Sequence, residues 1–136
     1  MSVSVIEGRA GSAMGVEIKL CGVPESARRA REFVRAHIIA WGFSEGADDA
    51  ALIADELASN AIEAAPEAPF VVSLRMVGRV PLLEVADSSP ERPVLQEPDF
   101  LAECGRGLHI VDALSLAWDS QPIPGGKVVW ARLRTR

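Results

Sequence analysis

The chain has 136 residues, a formal net charge of −5 and 49% apolar residues. That length suits one domain with one core and is too short for two, and the apolar share excludes a chain that is disordered throughout. The acidic balance opposes nonspecific binding to a phosphate polymer, no apolar run reaches the ~20 residues that cross a bilayer, and the N-terminus lacks a basic segment followed by an apolar stretch; nucleic acid and membrane are therefore not expected partners, and a cytoplasmic location is expected.

Residues 1–14 read as a flexible, polar, glycine-containing tail, and residues 15–136 as the domain. Val16-Glu17-Ile18-Lys19-Leu20 alternates apolar and charged residues, as a half-buried strand does, and Gly22, Val23 and Pro24 turn the chain. The spacing predicts an amphipathic helix over residues 26–41, with Ala30, Phe33, Val34, His37, Ile38 and Trp41 on its apolar stripe and Gly42 as its closing cap. Arg28, Arg29, Arg31 and Arg35 make a basic run on this helix, read as a solvated face, with a docking surface for an acidic protein as the alternative.

A second helix is predicted from residues 47–49, where Asp48 and Asp49 suit the positive end of the helix dipole, to Ala65, where Pro66 stops it. Its stripe is Ile53, Leu57, Ala61 and Ala64; Asn60 interrupts the stripe, and Glu56 and Glu63 border it. Asparagine costs a helix interior roughly 0.6 kcal/mol relative to alanine, so its place inside an apolar stripe asks for a reason. Residues 70–77 and 82–86 predict two strands joined by a turn at Gly78-Arg79-Val80-Pro81, and Asp87 ends the second. Residues 88–104 contain Pro90, Pro93 and Pro98, a connection long enough to be read as a lid. A short helix over 107–114 and strands at 116–119 and 127–133, flanking a Pro/Gly turn, complete the chain. The expected fold is an α/β two-layer sandwich, a mixed and mainly antiparallel sheet with about three helices on one face.

Glu56 and Asn60 are four residues apart and share a helix face. A carboxylate and a carboxamide so placed can serve a base and a hard cation together. Gly105-Arg106-Gly107-Leu108 opens the later helix, where bare backbone N–H groups and the helix dipole attract an anion. With Asp87 at a strand end between them, the pattern points to a magnesium–nucleotide site. Cys21 and Cys104, like His37 and His109, lack metal-ligand spacing and are assigned no chemistry.

Three segments carry a family resemblance: ADELASNAIEAAP, GRGLHIVDALSLAWD and GGKVVWARL. Over residues 16–133 they resemble the Bergerat-fold, histidine-kinase-like ATPases, and most closely the short, single-domain serine kinases and anti-sigma factors of high-GC Gram-positive bacteria. The resemblance implies ATP and Mg2+ as cofactors. It implies Glu56 as general base, Asn60 as a ligand of the magnesium bridging the phosphates, and Asp87 as acceptor of the adenine amino group. Gly105, Arg106, Gly107 and Leu108 would then supply backbone donors to phosphate oxygens once the lid closes. Three positions depart from the pattern. The first glycine box, normally D-x-G-x-G, reads Asp87-Ser88-Ser89-Pro90-Glu91; the threonine that helps orient the adenine contact is Val128; and Glu63 stands where a basic residue is common.

Two functions follow from the resemblance. One is an ATP-binding partner-switching regulator, an anti-sigma factor that phosphorylates a serine on an anti-anti-sigma partner of the STAS type. The other is a nucleotide-independent binding module with a degenerate ATP site, favoured by Ser89, Glu91 and Val128. The kinase catalytic domain of a histidine kinase fits less well, because its N box has asparagine where this chain has Glu56. A homodimer is compatible with either function.

Overall fold

The computed structural model describes residues 3–7, 14–91 and 106–136. Its strands are β1 (Val3–Glu7), β2 (Met14–Leu20), β3 (Phe70–Val77), β4 (Val80–Asp87), β5 (Ser115–Ile123) and β6 (Gly126–Leu133), and its helices are α1 (Glu25–Ala40), α2 (Ala47–Ala64) and α3 (Arg106–Leu114). The strands form one sheet in the order β1-β2-β3-β4-β6-β5, antiparallel at every pairing, and the helices make the second layer of the expected sandwich.

The period-2 alternation of the strands decides which face is covered. Ile18, Val72, Val85 and Val129 stand opposite one another across β2, β3, β4 and β6, and Val16, Leu74, Leu83 and Ala131 form the neighbouring row. All eight are buried against the helices. Fully burying one such aliphatic side chain stabilises the fold by roughly 1.5–3 kcal/mol, so a one-residue slip of register would turn whole rows into water.

Helix α1 buries Ala30, Phe33, Val34 and Ile38. Its end is a Schellman cap: the Gly42 N–H donates to the Ile39 carbonyl at 3.0 Å and the Phe43 N–H to the Ile38 carbonyl at 3.0 Å. Gly42 has φ 94°, where a side chain would be strained, so the expected glycine cap is present. His37 and Trp41 are half-buried rather than core; the His37 Nδ1 donates to the Phe33 carbonyl at 2.8 Å. The exposed Arg28 and Arg35 pair with Glu32 and Asp48. Such pairs contribute little to stability.

Helix α2 packs through small side chains, burying Ala50, Ala54, Ala58 and Ala61 around Ile53 and Leu57. Ala64, expected on that stripe, is exposed in the last turn, where the helix runs out beyond the core. No helix among the described residues is long and apolar enough to cross a membrane.

Three local expectations change. Val3–Glu7, read as part of a tail, pairs with β2 as the edge strand, with Val3 opposite Ile18 and Val5 opposite Val16. Its alternation is short enough to be lost beside the glycines that follow. Val80 and Pro81, read as turn, belong to β4: the turn is Gly78-Arg79 alone, and Val77 pairs with Val80. Pro81 is tolerated because the ladder to β6 begins one residue later, at Leu82, so no partner asks for the missing N–H. The strand predicted at 116–119 extends over Ser115–Ile123.

Candidate functional site

The last turns of α2 and the end of β4 lie at the same end of the sheet. A connection over residues 65–69 carries the chain from Ala64 to Phe70, and the first residues of β3 pair with the last of β4, Val71 with Ala86. That connection is fixed from below: the Glu67 N–H donates to the Gly22 carbonyl at 2.8 Å, and a Cβ at Gly22 would meet the backbone of Ala65, Glu67 and Ala68. Helix α3 packs on α2 and runs into β5, which starts opposite Leu133 at the other end of the sheet. Its N-terminus is therefore directed away from that other end. The order of elements thus directs the C-terminal half of α2, which carries Glu56 and Asn60, the end of β4 at Asp87 and the start of α3 toward the same end of the sheet.

Glu56 is half-buried on α2, one residue from Asp55 and two turns from Glu63. Burial, and then the charges of Asp55 and Glu63, push its carboxyl above the ordinary glutamate value. A carboxylate with raised proton affinity is better suited to take a proton near neutral pH. Glu63, the departure from the family pattern, is exposed, and its resolved influence is on Glu56.

Asn60 supplies the second observation. Its Nδ2 is buried and has no hydrogen-bond partner. An unmatched buried amide costs about 1–3 kcal/mol, so Asn60 is not explained by stability. A half-turn of the amide exchanges its oxygen and nitrogen; the unmatched end can present an oxygen to a hard cation or a donor to a phosphate. Magnesium takes oxygen ligands, few from protein and several from phosphate and water, and Glu56 and Asn60 fit that donor set. Among the described residues no cluster of three or more His, Cys, Asp or Glu could hold a metal by itself.

Asp87 ends the buried row of β4 and stands directly opposite Lys127, the second residue of β6. The two form a desolvated ion pair: the Lys127 Nζ lies 2.9 Å from Oδ2 and 3.1 Å from Oδ1, with side chains 5% and 3% exposed respectively. The Ser89 N–H also donates to Oδ1, at 2.8 Å. The strands are clamped close here, since a Cβ at Gly126 would collide with the Asp87 carbonyl oxygen. Sequence reasoning missed Lys127. A lysine following two glycines reads as solvated, and only the pairing register puts it opposite Asp87.

The same register corrects Val128. Its partner is Ala86, one residue before Asp87, and its side chain lies on the uncovered sheet face, in a shallow groove with Arg75, Leu82, Trp130 and Arg132. Adjacent strand residues point to opposite faces, so a threonine hydroxyl at 128 would not stand beside Asp87. Val128 is therefore no sign of decay in an adenine site.

Of the second glycine box, Arg106 and Gly107 begin α3. Leu108 is buried, 4% exposed, so what it offers a ligand is backbone. Gly105 lies outside the described residues, as do Cys104, residues 92–104 of the expected lid and most of the expected tail.

Compared with known proteins, residues 22–133 match the family model described as histidine kinase-like ATPase domain. No curated protein matches the chain.

Proposed function

The chain belongs to the histidine kinase-like ATPase domain family, and from that premise we propose that it is an ATP-binding, cytoplasmic partner-switching regulator: an anti-sigma factor with serine-protein kinase activity toward a STAS-type anti-anti-sigma protein. The observation that carries the proposal is the shared face of Glu56 and Asn60, one with raised proton affinity and the other with an unmatched buried amide. Neither feature serves the fold.

In this reading Glu56 accepts the proton of the partner's serine hydroxyl as its oxygen bonds to the γ-phosphorus of ATP and the bond to the departing ADP breaks. Asn60 and the phosphates hold Mg2+, which when bound offsets phosphate charge. Backbone N–H groups at the start of α3, after Gly105 and at Arg106, Gly107 and Leu108, hold phosphate oxygens at the positive end of the helix dipole. Asp87 accepts from the adenine amino group. The sigma factor and the STAS protein compete for the regulator, which acts as a monomer or homodimer.

A second reading is favoured by one specific observation, the occupation of the Asp87 carboxylate by Lys127 and the Ser89 N–H. It makes the chain a nucleotide-independent binding module for a sigma factor or another client. Calorimetric titration with ATP, with and without magnesium, followed by phosphotransfer to STAS proteins, separates the two. Magnesium-dependent binding and serine phosphorylation that is lost in Glu56→Gln support the kinase; absence of ATP binding together with retained client binding supports the module.

A further inference from the structure

We infer that Lys127 is a specificity-determining residue of the nucleotide site, which reads the base jointly with Asp87: its ammonium donates to the ring nitrogen adjacent to the exocyclic amino group of adenine, while Asp87 accepts from that amino group. This deepens the ATP-binding reading and rests on it.

An ammonium carries three N–H donors. The Lys127 Nζ approaches both carboxylate oxygens of Asp87, at 3.1 and 2.9 Å, and no other acceptor is bound to it among the described residues. At least one donor is therefore unspent. Each carboxylate oxygen accepts about two hydrogen bonds. Among the described residues Oδ1 has two, from Lys127 and the Ser89 N–H, whereas Oδ2 has only the ion-pair contact of Lys127. Among the described residues the pair thus ends in one unpartnered donor beside one unpartnered acceptor, with side chains 5% and 3% exposed.

Unspent polar valences are costly in so dry a place, and a ligand that satisfies both gains correspondingly. The edge of adenine offers the complement, an amino donor next to a ring-nitrogen acceptor. A guanine edge in the same pose reverses both, setting a carbonyl against Oδ2 and a ring N–H against the ammonium. A site built from matched hydrogen bonds rejects an analogue that leaves its buried groups unpaired. Lys127 also keeps its place, because it is paired across strands with Asp87 where Gly126 allows close contact between β6 and β4.

The test is calorimetric titration of the full chain with magnesium and three nucleotides: ATP, 1-deaza-ATP, in which that ring nitrogen is a C–H, and GTP. The expected preference of the unsubstituted chain for ATP over 1-deaza-ATP is about ten- to hundredfold, with GTP weaker than both. In Lys127→Met the preference should collapse to within about twofold. Should that variant not fold, Lys127→Gln, which keeps a neutral donor, should show an intermediate preference. ATP and 1-deaza-ATP binding equally, or a Lys127 variant retaining the full preference, overturns the inference and leaves the ATP-binding reading standing. No binding of ATP by the unsubstituted chain overturns both.

Discussion

Lys127→Met should destabilise the protein far more than a surface lysine substitution does. The change leaves Asp87 with a side chain 3% exposed and, among the described residues, only the Ser89 N–H as a remaining donor. Removing one partner of a buried pair costs about 3–5 kcal/mol, chiefly because the other charge is stranded. Against a typical domain stability of about 5–15 kcal/mol that is a large share. For a domain of this size it corresponds to a fall of roughly 10–20 °C in Tm. Urea denaturation followed by circular dichroism measures the free energy, and an unchanged m-value would show that the unfolded state is unaltered. The pair as a whole contributes much less than either half suggests, so Asp87→Leu/Lys127→Met should recover most of the loss. Arg75→Met is the comparator: its ion pair with Glu84 is as short, 2.8 Å, but its side chains are 53% and 25% exposed, and its loss should cost under about 1 kcal/mol. A loss below about 1 kcal/mol in Lys127→Met, or a double variant no more stable than the single, would refute the buried-pair argument.

Glu56→Gln should stabilise the fold at neutral pH. Burial and neighbouring carboxylates raise the folded-state pKa of Glu56 above its unfolded value, so its contribution to stability is lost as pH rises through the folded pKa; glutamine has no such loss. The advantage of the variant should be present at about pH 8 and gone at about pH 4, below the unfolded value; an equal advantage at both would mean that charge is not its source. Asn60→Ala should weaken ATP binding chiefly when magnesium is present, and should leave stability unchanged or higher, because the buried Nδ2 has no partner to lose; equal loss of affinity with and without the metal would argue against a ligand role. Gly126→Ala should lower stability by about 1–3 kcal/mol, since its Cβ must push β6 away from the Asp87 carbonyl, and a thermal melt matching the parent would contradict that contact.

Much of the architecture is legible in the residues, because alternation and helical spacing report burial locally. β2, β3 and β6 were readable to within a residue or two, and Gly42 announces a cap whose φ only glycine adopts readily. The Glu56–Asn60 face is a matter of spacing on one helix and was equally visible. What could not be read is which residues meet between segments distant in the chain. The Lys127–Asp87 pair depends on the β4–β6 register, and an error of one position put Val128 in its place. β1 was missed for a related reason: five residues alternate too briefly to stand out until β2 lies beside them. Pro81 looked like a turn residue because a strand position free of hydrogen-bonding demand on one side has no sequence mark.

The alanine-lined underside of α2 has a consequence for how cheaply the candidate site is held ready. Ala50, Ala54, Ala58 and Ala61 have no rotamers, so this helix docks with little side-chain entropy lost. Close packing through these methyl groups, with Ile53 and Leu57 set among them, fixes the height and rotation of the helix. Glu56 and Asn60 inherit that definition of height and rotation, which is the kind of preorganisation that chemistry at a phosphate requires. Enlarging one of these methyl groups, as in Ala58→Val, would therefore act on the site as a displacement of its whole polar face while changing none of the residues on it.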